Sequence, residues 1–237
     1  LKILAIDTTS GACSAALYDQ GSVCERFFRA ERDHTRRLLP MVDEVLAEGG
    51  IALSEIDALA VSRGPGSFTG LRIAISFAQG LAFASDRPVV PVSSLAALAA
   101  GAVREHAHWR GAPVLATLDA RMQEVYWGVY RSDAPHESLL PEAVSSPETA
   151  VEQLKTAGLL GSEGAPFYAA GPGLHYPALD ALEATEKVVA CDIRARDIAE
   201  LAAGLWAQNE AVPAEQLEPI YLRNEVTWKK RERIRSR

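Results

Sequence analysis

The chain is poor in the residues from which covalent frameworks and metal centres are built. Its 237 residues include three cysteines, Cys13, Cys24 and Cys191, an odd number with no CxxC and no Cys/His ligand spacing. That excludes a disulfide framework and a cysteine zinc site, and a reducing cytoplasm is the expected location. Histidine is scarce too, with only His34, His106, His108, His136 and His175. No HExxH occurs and His106-x-His108 lacks the i, i+4 spacing of a helical pair, so no metal-ligand set is expected and a metalloprotease is excluded. Long apolar runs are missing as well. The best candidate, ISFAQGLAFA, is too short and too interrupted to span a bilayer, and no membrane role is expected. The opening LKILAIDTT moves directly into a strand, without the basic region, apolar stretch and cleavage site of a signal peptide.

What is present is ordinary for a globular protein: 48% hydrophobic and 23% charged residues, enough for one large or two small domains. The net charge of −7 is unevenly placed. Residues 223 to 237 carry seven Lys/Arg against Glu225 and Glu232, which makes this tail +5 and leaves the body near −12. A body so acidic repels polyanions, and the tail is the only electrostatic footprint for nucleic acid. A solvated, frayed end is the plainer reading of the same residues.

The chain repeats itself. AIDTTSGACSAALYD, residues 5 to 19, returns 112 positions later as TLDARMQEVYWGVYR, residues 117 to 131, with Asp7 matched by Asp119 and Tyr18 by Tyr130. Gly64-Pro65-Gly66 returns as Gly171-Pro172-Gly173. Hydrophobic periodicity predicts strands over 2–7, 12–19, 22–29, 58–62 and 88–92, and helices from Asp33 as N-cap to Glu48, over 67–84 and over 94–107. The second half repeats this plan with strands over 113–119, 124–131 and 137–141 and helices near 147–157 and 195–208. Its Gly/Pro-rich middle predicts a smaller, less regular rear lobe. The expected division is an N-terminal lobe over 1–110 bearing the partner-binding helices, a smaller C-terminal lobe over 111–222, and the basic tail over 223–237.

Two such lobes would place their Asp-bearing hairpins face to face across a cleft, where Asp7, Thr8, Thr9, Asp119, Arg121, Gly171 and Gly173 form a candidate anion or nucleotide site. A working phosphate loop of this type carries glycine two residues after the aspartate, so that backbone can approach the anion. Here Thr8-Thr9 and Ala120-Arg121 follow instead, which marks the cleft as vestigial and Asp7 as a turn-capping residue. Arg63-Gly64-Pro65-Gly66-Ser67-Phe68-Thr69-Gly70-Leu71-Arg72 joins a strand to a helix. Its amides suit an anion, but a sharp turn, a Ser67 cap and close helix packing at Gly70 explain the same residues. No histidine and carboxylate are placed to activate Ser67 as a nucleophile, and no catalytic residue is assigned.

On the helix over 33–48, Leu38, Met41, Val42 and Val45 form a core stripe, and Leu39 and Leu46 widen the apolar arc beyond what one sheet face needs. The helix over 67–84 is apolar nearly all round, with Arg72, Ser76 and Gln79 in a narrow polar line. Either the two helices cover each other or a partner's helices complete a bundle. On the second account, Arg36, Leu39, Asp43, Leu46, Arg72, Ile75, Ser76 and Gln79 are the candidate partner-binding residues.

With GPGSFTGLR, the opening ILAIDTTSGACSAALYD and the late PIYLR (219–223), the chain closely resembles the TsaB (YeaZ) family of bacterial tRNA threonylcarbamoyladenosine biosynthesis proteins, over most of its length. The resemblance implies an α/β fold of two lobes, a duplicated actin-like ATPase (ribonuclease H-like) architecture of mixed sheets flanked by helices. It further implies a non-catalytic partner of the paralogous TsaD, which transfers threonylcarbamoyl to adenosine 37 of tRNA. A TsaE-like ATPase joins through that pair, and a homodimer forms when the chain is alone. ATP and metal are then used by the partner subunits, no cofactor is bound here, and tRNA is met only indirectly or through the basic tail. In TsaD the strand corresponding to Val89–Val92 leads into a metal-binding HxxxH; here Ser93-Ser94-Leu95-Ala96-Ala97-Leu98 stands in its place. A small-molecule kinase or ATPase of the acetate or sugar kinase type is the alternative, motivated by Asp7, Asp119 and the two GPG turns.

Overall fold

The computed structural model describes residues 1–29, 34–160 and 165–223. The expected Asp33 cap, and the basic tail beyond Arg223, lie outside the described residues. Strands β1 (Lys2–Asp7), β2 (Ala12–Asp19) and β3 (Ser22–Arg29) form an antiparallel meander. Gln20 and Gly21 both take positive φ in the two-residue turn between β2 and β3, the geometry that matches the right-handed strand twist. Beyond β1 lie β4 (Ala58–Gly64) and β5 (Val89–Ser93), both parallel to it, giving the order β3-β2-β1-β4-β5. The second sheet contains β6 (Pro113–Arg121), β7 (Glu124–Arg131), β8 (Ser138–Ser145), β9 (Tyr168–Ala170) and β10 (Glu186–Val188). Its order, β10-β9-β6-β7-β8, is the first sheet's order written backwards, so the repeat seen in sequence is a repeat of topology.

Six helices cover these sheets among the described residues: α1 (His34–Gly49), α2 (Phe68–Ser85), α3 (Ser94–Glu105), α4 (Pro147–Thr156), α5 (Pro177–Asp180) and α6 (Ala195–Ala207). Three helix ends have a plain local cause. Gly50 ends α1 with a left-handed φ of 63°, Ser67 caps α2 by accepting from the Gly70 N–H at 3.3 Å, and Ser93 caps α3 by accepting from Leu95 and Ala96. In the rear lobe the place of α2 is taken by a single 3-10 turn over Pro172–His175 and the four-residue α5. On either side of them, β9 and β10 have only three residues each, too short for a two-residue period to register in the sequence.

Three apolar layers result. Helices α1 and α2 seal the outer face of the front sheet, with Leu38, Met41, Val42, Val45, Leu46, Leu71 and Ile75 packed on Leu4, Ile6 and Leu59. On the rear sheet's outer face, Ala150, Leu154 and Leu179 pack on Leu115, Val125 and Trp127. The middle layer crosses over: α6, from the second half, lies on the front sheet, and α3, from the first half, lies on β6, β7 and β9 of the rear sheet. One continuous core therefore joins Val90, Val92, Leu95 and Leu98 to Val114, Ala116, Ile198 and Leu201. The buried Asp197 of α6, paired bidentately with Arg104 of α3 at 2.7 and 3.2 Å, fixes the two helices against each other.

Candidate functional site

The first half of the expected cleft is filled by the protein itself. Asp7, Thr8 and Thr9 are buried. Asp7 accepts from the Thr9 hydroxyl at 2.6 Å and the Thr9 N–H at 3.2 Å, an Asx-type turn cap. The N-terminus of α2 lies directly on this turn. Thr8 Oγ1 donates to the Gly70 carbonyl at 2.7 Å, and the Ser67 N–H donates to the Thr9 carbonyl at 3.0 Å. A Cβ on Gly70 would sit 2.0 Å from the Thr8 carbonyl oxygen. The glycine and serine of the GPGSFTG stretch thus seat a helix directly on the Asp7 turn. Burial pushes the Asp7 carboxyl up to about 6, against the lowering influence of the Ser62 and Thr9 hydroxyls.

The matching turn of the rear lobe stays open. Asp119 is half-buried; its carboxylate accepts from the Arg121 N–H at 2.8 Å and the Tyr176 hydroxyl at 2.9 Å, and pairs with the Arg121 guanidinium at 3.3 Å. Partial burial raises this carboxyl, but the Arg121 amide, the Tyr176 hydroxyl and the Arg121 charge together hold it below its ordinary value. Arg121, Met122 and Gln123 all take positive φ, a costly backbone for three non-glycine residues. Arg223 helps to hold this turn, donating to the Ala120 carbonyl at 3.2 Å and pairing with Glu124. Gly171 and Gly173 do not line a free cradle. They are buried against β6 and β7, where a Cβ on Gly171 would meet the Thr117 carbonyl oxygen at 2.0 Å and one on Gly173 the Val125 side chain at 2.6 Å. Close packing, and not anion contact, is what these two positions require.

A separate pocket of about 250 Å³ opens where the two halves meet, lined in part by Arg63, Ser93, Tyr130, His136, Glu142 and Glu210. Glu142 accepts from the Tyr130 hydroxyl at 2.7 Å and from Ser93, the cap of α3. Burial, then the neighbouring Glu142 carboxylate, push the Tyr130 phenol far up. None of the predicted cleft residues reaches this pocket. Its helix N-terminus already faces a carboxylate of the protein, and two glutamates against one arginine make a poor cradle for a polyphosphate. The stretch Ser93–Leu98 serves the structure, since Ser93 caps α3 and Leu95 and Leu98 are fully buried.

The outer face of the front lobe is different in kind. Helix α2 buries Leu71, Ala74, Ile75, Ala78 and Ala82 against the sheet, yet its opposite side also presents large apolar residues among Thr69, Arg72 and Ser76. Phe83 is 83% exposed and Phe68 56%. Phe68, Thr69, Arg72, Ile73, Ser76 and Phe77 line an open groove of about 610 Å³, with the Arg72 guanidinium 4.0 Å from the Phe68 ring centre and Arg72 Nε donating to the Tyr221 hydroxyl at 3.3 Å. Of the candidate partner-binding residues, Arg36, Leu39, Asp43, Arg72 and Ser76 are exposed. Leu46 and Ile75 are not: both belong to the core beneath the helices. Gln79 is half-buried and donates to the Ala214 and Leu217 carbonyls at 3.2 Å, tying down the segment before Arg223.

The family model for TsaD, tRNA N6-adenosine threonylcarbamoyltransferase, matches residues 27–215. A Haemophilus influenzae protein named tRNA threonylcarbamoyladenosine biosynthesis protein TsaB is 41% identical over 240 residues, covering 97% of each chain. The chain belongs to the TsaB family. The Escherichia coli TsaB is 40% identical over 97% of this chain and 98% of its own. Two solved Pseudomonas aeruginosa structures superpose closely: one of a protein with similarity to the peptidase YeaZ (42% identity, 94% of this chain and 99% of the other, TM-score 0.84), and one of YeaZ (41%, 93% and 99%, TM-score 0.83). The fold of this TsaB-family chain is the duplicated actin-like, ribonuclease H-like α/β architecture that the two matching sheet orders display. The residues that sequence reasoning missed in it are Phe68, Ile73, Phe77 and Phe83, which helical periodicity assigned to a buried, all-round apolar helix.

Proposed function

We propose that this chain serves threonylcarbamoyladenosine biosynthesis as a non-catalytic subunit, pairing with a TsaD-like catalytic subunit through the outer face of its front lobe. A TsaE-like ATPase joins through that pair, and the chain alone forms a homodimer through the same face. ATP and the metal used in catalysis belong to the partners, and tRNA is reached through the assembly or the basic tail. The observation that carries the reading is the pair of large apolar side chains that α2 leaves in solvent, Phe68 and Phe83; exposed aromatics of this kind suit a partner. The burial of Asp7 beneath α2 supports the non-catalytic role and weakens the alternative of a small-molecule kinase, which needs that carboxylate at an open phosphate site.

The test is reconstitution with purified TsaD-like and TsaE-like proteins. The chain alone is expected to neither transfer threonylcarbamoyl nor hydrolyse ATP, while the mixture without it modifies tRNA poorly. Turnover by the chain alone above about 1 s⁻¹, within the usual enzyme range, and abolished by Asp119→Asn, would contradict the proposal.

A further inference from the structure

At the far end of α3, away from the face assigned to the partner, the 3-10 turn Ala107–Trp109 meets β10. His108 Nε2 lies 2.7 Å from one oxygen of Glu186, and His106 Nδ1 lies 3.4 Å from the other. The ligand atoms of the three side chains all fall within 4.8 Å of one another. We propose that His106, His108 and Glu186 form a binding site for a divalent transition cation of the zinc class, clipping the end of α3 to the edge strand β10.

The donor set selects the ion. Two imidazole nitrogens and a carboxylate suit zinc, nickel or copper, and not magnesium or calcium, which take oxygen ligands. A tetrahedral zinc ion with bonds of about 2.0 to 2.2 Å separates its ligand atoms by about 3.4 Å. One pair here is already at that spacing and side-chain rotation adjusts the others. Three protein ligands leave the fourth position to water or to an outside group.

The surroundings orient the ligands. Trp109 Nε1 donates to Glu186 at 3.0 Å, the kind of outer contact that fixes a ligating carboxylate. The His106 ring stacks on Trp109 with centroids 5.0 Å apart, and Trp109 stacks on Tyr168 of β9 at 4.8 Å. His108 is exposed and its two companions are half-buried, so an ion can enter from solvent. Glu186 comes 78 residues after His108, which is why no local spacing reveals the set.

Untagged, chelator-treated full-length protein titrated calorimetrically with zinc chloride tests the site. One equivalent should bind and raise the melting temperature. His108→Ala and Glu186→Gln should each weaken zinc binding at least tenfold and abolish the zinc-induced shift. Glu186→Gln keeps an acceptor for Trp109, so its metal-free melting temperature should stay near the parent's. His175→Ala should bind as the parent does. No binding by the parent chain, or binding unchanged in His108→Ala and Glu186→Gln, would overturn the proposal.

Discussion

The front and rear lobes share a five-stranded plan and differ in what covers it. In the front lobe an 18-residue α2 follows β4; in the rear lobe the same place holds one 3-10 turn and four helical residues. The long helix closes the Asp7 turn from above and carries phenylalanines outward, whereas the short segment meets Asp119 through the Tyr176 hydroxyl and leaves that carboxylate half-buried. The duplicated sheet plan has thus become two unequal lobes.

The largest effect separates two leucines of α1. Leu46 is 7% exposed and Leu39 48%. Leu46→Glu buries an unpaired carboxylate in the front core and should destabilise the protein by about 4 kcal/mol, or unfold it; Leu39→Glu should leave the melting temperature within about 2 °C. Urea unfolding of both variants checks the contrast, and equal losses would move Leu39 into the core. Next come the paired glycines. A Cβ at Gly171 meets backbone at 2.0 Å and one at Gly64 meets backbone at 2.8 Å, both at positive φ. Gly171→Ala should cost about 3 kcal/mol and Gly64→Ala less. The reverse order would mean that the rear lobe relaxes more easily than its packing indicates.

The two aspartates should also respond oppositely to acid. Asp7 is raised from 3.8 to about 6, so its contribution is fully present below 3.8 and is lost as pH rises through about 6. Asp119 is lowered, so its contribution is present above its ordinary value and lost as pH falls through the folded one. Stability measured against pH should therefore show an Asp7 component of at most about 1.4 kcal/mol per pH unit, favouring the acid side between about 4 and 6. Asp7→Asn should remove that component; Asp119→Asn should change only the region below about 4. An unchanged slope in Asp7→Asn would show that its carboxyl is not raised.

Much of this contrast was legible in the sequence, and its limits are instructive. Strands β1 to β3 fall on the predicted residues because alternation and turn residues agree there. The repeat around Asp7 and Asp119 announced the duplicated topology. Periodicity could not tell that α6 crosses to the front sheet, because an amphipathic stripe does not name the sheet it covers. On α1, Leu46 and Leu39 stand only about 20° apart on the helical wheel, and the edge of the core falls between them. On α2, an apolar residue facing a partner looks the same in sequence as one facing the core. That ambiguity hid Phe68 and Phe83, and the distance along the chain hid Glu186 from its two histidines.

The central claim is that the outer face of the front lobe, and not the rear lobe, meets the catalytic partner. Sedimentation of the purified chain with a TsaD-like protein tests it directly, using Phe83→Glu on α2 and Leu139→Glu on β8, a rear-lobe residue that is also exposed. Burying a phenylalanine contributes about 1.5 to 3 kcal/mol before association costs. Phe83→Glu should therefore weaken pairing at least tenfold with an unchanged melting temperature, and Leu139→Glu should pair as the parent chain does. Undiminished pairing by Phe83→Glu, or a loss confined to Leu139→Glu, would contradict the account.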